Sequence, residues 1–367
     1  MNTNDKIMNP IHNAERIGIT LCTIVGAMNM KRIMMMLLAL SLGGAQLFSQ
    51  VSKVGTTAAP FLLVDVGPRG TAMGGAYVAA ADDATAMYWN PSGITGVDNF
   101  QAVFSNTRWF ADISFNYAGA VIALENFGSL GINATFLTMD EMERTTTLEP
   151  DGTGEMFDAG SYAVGICFAR NLTDHFSIGF NAKYINESIF HSTANGFALD
   201  VGTMFDTQWE GLKLGMSISN YGTKMQMDGR DMYTQVDVDQ TIDGNNPNIN
   251  ANLRTDEFDL PLTFRVGVSM DLLKGMANSN LLISADALHP SDDVESVNIG
   301  MEYIFDDLLF LRAGHKELFV TDSQHGLSLG GGIKYAIGNA TVFRFDYSFF
   351  DFGLLSKVHM FSVSLAL

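Results

Sequence analysis

From residue 100 onward, apolar side chains alternate with small or polar ones, strand after strand, and no later segment is a continuous apolar stretch of helix-spanning length. Ile113, Phe115, Tyr117 and Val121 point one way, with Ser114, Asn116 and Ala120 between them. The pattern recurs at Tyr162-x-Val164-x-Ile166-x-Phe168 and Phe176-x-Ile178-x-Phe180-x-Ala182-x-Tyr184, then at Phe197-x-Leu199-x-Val201 and Leu212-x-Leu214-x-Met216-x-Ile218. It returns at Leu262-x-Phe264-x-Val266-x-Val268-x-Met270 and Val297-x-Ile299-x-Met301-x-Tyr303-x-Phe305. Period two over about ten residues is the pattern of a transmembrane strand. In lipid every backbone polar group needs an internal partner, which only helices and closed barrels supply, so this chain is expected to cross as a closed sheet.

Runs near 101–110, 129–138, 280–288, 308–315, 326–336, 341–349 and 357–367 bring the expected count to fourteen strands. The connections give an independent check. Asn126-Phe-Gly, Arg170-Asn-Leu-Thr-Asp174, Asp206-Thr-Gln-Trp-Glu-Gly211, Asp306-Asp307 and Ile337-Gly-Asn-Ala340 read as turns, each joining an even strand to an odd one. The long segments 139–158, 222–260 and 316–325 fall at the opposite end. Short periplasmic turns alternating with long outside loops are what an outer-membrane barrel requires, and a soluble β-sandwich has no reason to keep that parity. The last strand, Val358 to Leu367, alternates to an apolar terminal residue, an ending similar to the signal read by barrel-insertion machinery.

The N-terminus reads as an address. Lys31-Arg32, the apolar run Ile33 to Leu42 and the small residues Gly43, Gly44 and Ala45 make a secretory signal peptide, with cleavage after Ala45 or, equally, after Ser49. Met30 is then the expected start and residues 1–29 an upstream mis-start. Cys22 falls in that discarded part and resembles no lipoprotein site, which leaves Cys167 without a disulfide partner. Removing residues 1–45 takes Lys6, Arg16, Lys31, Arg32, Asp5 and Glu15 from totals of 21 basic and 40 acidic, leaving 17 and 38, a net charge of −21. Such a surplus repels nucleic acid.

Between leader and barrel lies Gly67 to Gly93, rich in glycine and alanine, acidic at Asp82-Asp83 and closed by Asn90-Pro91. Small residues let backbones approach closely, and the proline disfavours helix at Asn90. The segment 50–99 is expected to be a compact hatch held inside the barrel of 100–367, the alternative being a surface loop with a short helix. Its motif residues are Gly70, Met73, Gly74, Gly75, Asp82, Asp83, Tyr88, Trp89, Asn90 and Pro91. Asp82-Asp83 is expected to pair with a lumenal base such as Lys183, Arg265, Lys334 or Arg344, because charges in a low dielectric need partners. A phosphate-cradling reading of Gly70-x-x-x-Gly74-Gly75 fails, since no Gly-Lys-Ser/Thr follows.

No catalytic constellation emerges. His175, His191, His289, His315, His325 and His359 form no His-Glu-x-x-His or paired metal-ligand pattern, and there is no Gly-x-Ser-x-Gly. No enzyme activity, cofactor or metal is expected. The stretch 222–260 carries eight acidic residues against three basic, with Asn245-Asn-Pro-Asn248 at its tip, and fits no EF-hand register. It reads as a solvated outside loop, a cation-bridged loop or a docking surface.

At Phe61-Leu-Leu-Val-Asp-Val-Gly-Pro-Arg-Gly-Thr-Ala-Met-Gly-Gly-Ala-Tyr-Val and Ala81-Asp-Asp-Ala-Thr-Ala-Met-Tyr-Trp-Asn-Pro-Ser-Gly, the chain resembles the PorV/PorQ family of Bacteroidetes-type outer-membrane proteins. The resemblance implies an all-β membrane protein: a FadL-like, 14-stranded antiparallel outer-membrane β-barrel with an N-terminal hatch. The family's Asn-Pro-Ala turn stands here as Asn90-Pro91-Ser92. It further implies a Gram-negative outer membrane and a part in type IX secretion. The implied partners are the large translocon barrel and cargo with a C-terminal signal domain (PorV-like) or the cell-surface attachment complex (PorQ-like), with outer-membrane lipids around the wall. The alternative is a FadL-like transporter of hydrophobic small molecules, for which Phe349, Phe350, Phe352, Leu354 and Leu355 supply an apolar mouth.

Overall fold

The computed structural model describes residues 53–238, 241, 246, 248–274, 276, 278–320, 323, 326–338, 341–353 and 357–367. The leader with Cys22, and His325, Leu354, Leu355, Asn245, Pro247, Asn339 and Ala340 from the loop and turn readings, lie outside the described residues. Fourteen long strands follow one another around a closed wall. They are β1 (Phe100–Arg108), β2 (Ser114–Leu124), β3 (Gly128–Thr138), β4 (Ala159–Thr173), β5 (Phe176–Ile189), β6 (Ser192–Asp206) and β7 (Leu212–Gly222). The second half comprises β8 (Thr263–Asp271), β9 (Ser279–Pro290), β10 (Ser296–Phe305), β11 (Leu309–Leu318), β12 (Leu327–Ile337), β13 (Thr341–Asp351) and β14 (Lys357–Ala366). Each pairs antiparallel with its neighbour in sequence, and β1 closes on β14 with Gln101 opposite Ala366 and Arg108 opposite His359. A two-residue strand, Asp228–Gly229, pairs with the start of β6 at Ser192 and Thr193.

The alternation dictates which residues face out. On β6, Phe197 and Leu199 are exposed on the outer wall while Ala198 and Asp200 are buried within, and on β14 Phe361 and Val363 alternate with Met360 and Ser362 in the same way. β2 reverses the pattern. Phe115, Tyr117 and Val121 face inward and are buried against Met87, Trp89 and Ala84, because the lumen at that point is filled by other apolar side chains.

The turn parity holds. Residues 125–127, 174–175, 207–211, 272–278, 306–308 and 338–340 join even strands to odd ones at one end, called here the turn end. Residues 139–158, 223–262 and 319–326 connect at the loop end. Asp306 and Asp307 both take positive φ, 54° and 50°, the handedness that lets a tight hairpin follow the strand twist. The expected turn at 170–174 is shorter than the sequence suggested: Arg170 to Thr173 continue β4, and only Asp174 and His175 turn. The first strand also ends early, at Arg108, where Ala111 and Asp112 bend the chain with φ of 56° each.

Residues 53–99 run through the lumen as short pieces: a 3-10 turn at Pro60–Leu63, α1 (Pro68–Ala72), α2 (Ala86–Trp89) and a second 3-10 turn at Pro91–Gly96. Extended backbone at Asn90, with φ −157°, ends α2 where the following proline forbids helix. Ala59, Phe61 and Leu62 pack near the loop end against Ile185, Met225 and Leu260, and the Ala58 amide donates to the Asp259 carbonyl. Asp82 lies at the turn end, where it lines a cavity of about 740 Å³ with Asp174, Asp206, Lys213 and Lys274.

Candidate functional site

Inward-facing glycines lie where the N-terminal segment meets the wall. A Cβ at Gly179 would lie 2.4 Å from the Pro91 carbonyl carbon, and one at Gly202 would lie 2.1 Å from Asn90 Oδ1. The same holds for Gly215 against the Val78 carbonyl at 2.6 Å, Gly300 against the Met73 carbonyl at 2.3 Å and Gly314 against Met73 at 2.1 Å. These five glycines fall in three cross-strand pairs once Gly267, opposite Gly215, is added: Gly179 with Gly202, Gly215 with Gly267 and Gly300 with Gly314. A backbone can approach another this closely only where no side chain intervenes. The wall is therefore shaped to the segment it encloses.

Of the motif residues, Met73, Gly74, Gly75, Tyr88, Trp89, Asn90 and Pro91 meet the wall, while Gly70, Asp82 and Asp83 make their contacts within the segment. Gly70 is where a Cβ would meet the Trp89 ring at 2.7 Å; Gly74, at φ 66°, faces the His315 backbone, and Gly75, at φ 75°, faces Asn298. Met73 is fully buried. Trp89 donates from Nε1 to the Val66 carbonyl at 2.9 Å, packs edge-on against Tyr77 and Tyr88, and lies under the Arg265 guanidinium at 5.5 Å. The Tyr88 ring holds the same guanidinium at 5.6 Å. Two backbone amides, of Tyr77 and Val78, donate to Asp286 Oδ2 at 2.8 Å each.

Asn90 ties three pieces together. Its Nδ2 donates to the Val78 carbonyl at 2.9 Å and to Thr203 of β6 at 3.0 Å, while its Oδ1 accepts from the Ser92 amide at 3.2 Å and hydroxyl at 2.7 Å. Replacing it with alanine strands buried groups on two segments, each costing about 1–3 kcal/mol. Asn90→Ala is accordingly expected to lower the unfolding midpoint of the purified barrel. Asn90→Asp, which keeps the acceptor and loses the amide donor, is expected to lower it too, and thermal denaturation in detergent reads both.

The charge expected to pin Asp82-Asp83 comes from another place than the wall. Arg69, in α1, pairs with both aspartates and reaches Glu302 of β10 through Nε at 3.0 Å and Nη2 at 2.9 Å. The four wall bases have other partners: Lys183 pairs with Asp200 at 2.9 Å, Lys334 with Asp307 at 2.6 Å and Arg344 with Asp346 at 3.0 Å, while Arg265 covers the Tyr88 and Trp89 rings. Arg69 lies on the same segment as its acids and needs no reach across the lumen. Glu302, itself fully buried, also accepts from Arg312 Nε at 2.7 Å, so the segment and the wall share one ionic network. Burial alone would raise the Asp83 carboxyl. The Arg69 guanidinium, helped by a hydrogen bond from Thr85, by the more distant Arg344 guanidinium of the wall and by a hydrogen bond from Tyr77, outweighs it and holds Asp83 below the ordinary carboxylate value.

The histidines stand apart from one another. His191 contacts Asp231 at 3.0 Å, His289 contacts Glu295 at 3.1 Å and His359 contacts the Tyr347 hydroxyl at 2.8 Å. Among the described residues no group of three His, Cys, Asp or Glu side chains has metal-binding geometry.

A closed antiparallel wall, apolar outside and filled with polar and small residues within, defines an outer-membrane β-barrel. Solved barrels share the fold. The CymD monoaromatic hydrocarbon channel matches with a TM-score of 0.51 at 14% identity, covering 83% of this chain and 97% of that one. The Ralstonia pickettii toluene transporter TbuX matches at 0.50 and 13%, covering 83% and 98%, and the Pseudomonas putida toluene transporter TodX at 0.50 and 12%, covering 88% and 98%. These are FadL-like barrels. Residues 48–279 match the family model described as type IX secretion system protein PorV, and the chain belongs to that family. No curated protein matches it by sequence.

Proposed function

We propose that this barrel serves type IX secretion as a docking component: its outside loops hold secreted cargo beside the translocon, and residues 53–99 are a fixed hatch, not a gate. The observation that carries the reading is the fit of that segment to the glycine-lined lumen, reinforced by Asn90, Arg69 and Asp286. A lumen so filled favours work done at the surface.

The loop end supports the same view. Residues 223–262 form two hairpins, Met225–Gln226 with Glu257–Phe258 and Tyr233–Val236 with Ile249–Asn252, and exposed Tyr233, Val236, Ile249 and Leu253 offer apolar contact among acidic neighbours. Excising residues 233–252 leaves Met225 and Leu260, which pack on the N-terminal segment, in place. The shortened protein is expected to insert normally while cargo accumulates in the periplasm. Undiminished secretion, measured by immunoblot of culture medium and periplasm, would count against the docking reading.

One feature favours transport of small apolar molecules. Trp109, Phe110, Phe350 and Phe352 cluster at the loop end, with Trp109 5.2 Å from both Phe110 and Phe352. Faster uptake of a hydrophobic probe by cells with the barrel than by cells without it would support that second reading.

A further inference from the structure

The outer wall carries a basic patch at one seam. Arg108 ends β1 and Lys357 and His359 begin β14, all three exposed and outward, between the buried inward residues Thr107, Val358 and Met360. Arg108 stands directly opposite His359 in the ladder that closes the barrel, and Lys357 is two residues further along the same face. Side chains directly opposite are about 5 Å apart at Cβ and those at i and i+2 about 7 Å, so the three heads share a patch roughly 10 Å across. It sits at the loop end, the outer-leaflet side of the membrane.

The bases of the patch outnumber its one carboxylate and are not tied to it. Among the described residues neither Arg108 nor Lys357 forms an ion pair, although Asp351 faces Lys357 in the ladder. Lys357 lies 5.5 Å over the Phe349 ring, and the His359 ring meets the Tyr347 hydroxyl. Most other bases of the wall point inward to carboxylates, as Lys183, Arg312, Lys316 and Arg344 do. Toward the membrane interior the same face turns apolar, with Phe104, Phe345, Phe361 and Val363 exposed and adjacent. Cations at headgroup height above an apolar strip match an anionic headgroup above its acyl chains.

We infer that the β1–β14 seam binds a phosphate-bearing lipid of the outer leaflet. Arg108 supplies the planar, bidentate contact to phosphate oxygens and Lys357 a second, point-like charge. His359 and Tyr347 border the headgroup, and the acyl chains lie along Phe104, Phe361 and Phe345.

The test is native mass spectrometry of the purified full barrel titrated with diphosphoryl lipid A or with its dephosphorylated form. The phosphorylated lipid is expected to bind preferentially, and R108Q/K357Q to weaken it by roughly tenfold or more. R170Q, which removes an outward base at the turn end, is expected to leave it unchanged. If the double variant fails to assemble, K357Q alone makes the comparison, because its described contact is with the Phe349 ring. Equal binding of the dephosphorylated lipid, full retention by the variant, or stripping of the lipid by excess inorganic phosphate would each overturn the assignment.

Discussion

Replacing Gly202 with leucine is expected to expel the N-terminal segment from a barrel that still closes. The new Cβ would start 2.1 Å from Asn90 Oδ1 and 2.8 Å from Pro91 Cδ, so the clash is with a buried, hydrogen-bonded residue and a proline ring. Asn90 can turn aside only by giving up its four hydrogen bonds, and the Pro91 ring only by moving backbone. Overpacking of this kind costs about 1–3 kcal/mol where neighbours can shift, and more where backbone must move. Gly179, paired with Gly202 across β5 and β6, faces the Pro91 carbonyl carbon, so Gly179→Val is expected to behave alike. The outward pattern of both strands is untouched, and insertion should proceed. Limited proteolysis of the purified protein is expected to cut within 53–99 in both variants and to spare the wild type. Gly160→Ala, where a Cβ would lie 3.6 Å from the nearest atom, is the matched control. Protection of that segment in G202L would contradict the tight fit.

Arg69→Met is expected to be at least as damaging. It leaves Asp83 buried beside Tyr77 and Thr85 and takes from Glu302 one of two closely bonded guanidinium groups. Removing one partner of a buried ionic set costs about 3–5 kcal/mol, because the remaining charge stays desolvated. Asp82, half exposed, keeps its water and should contribute little to the loss. The double variant Arg69→Met with Asp83→Asn is expected to recover part of the stability. The pH response should also weaken. In the wild type the Asp83 carboxyl is held below its unfolded value, so its contribution is present above about pH 4 and is lost as pH falls further. Without Arg69, only Arg344 and the hydrogen bonds from Thr85 and Tyr77 oppose burial, so the carboxyl rises relative to the wild type and less stability should be lost on acidification. Melting curves between neutral pH and the acid limit of the barrel measure both effects, and parallel curves would contradict the pairing.

The wall was legible because lipid on one side imposes a strict period. Runs such as Phe264-x-Val266-x-Val268-x-Met270 admit one reading once helices are excluded, and the runs near 101–110 and 280–288 are β1 and β9. Gly70, Gly74 and Gly75 announce close approach in the sequence itself. Their partners do not. Gly202 and Gly314 look like any strand glycine until the chain crossing them is known. Glu302 sits at an inward position of a clearly alternating strand, Met301-Glu302-Tyr303, and that parity was the available signal. Arg69 is hidden for a different reason: it lies thirteen residues from Asp82 on the same segment, and sequence alone does not show that the chain folds back to bring them together. The inward apolar stripe of β2 was ambiguous for want of knowing what fills the lumen.

The central claim is that the N-terminal segment stays in place while the barrel works from its surface. Thr71 Oγ1 lies 3.8 Å from Met360 Sδ, so cysteines at these two positions can be bridged by a short, reducible bifunctional thiol cross-linker. The buried Cys167 supplies an internal control for reactivity. The decisive measurement is cargo release into the medium by cells whose only copy of the barrel carries that cross-link, with its extent read from the same cells. Release at the wild-type level with the segment locked is the predicted result; loss of release that returns on reduction would show that the segment must move, and would contradict the account.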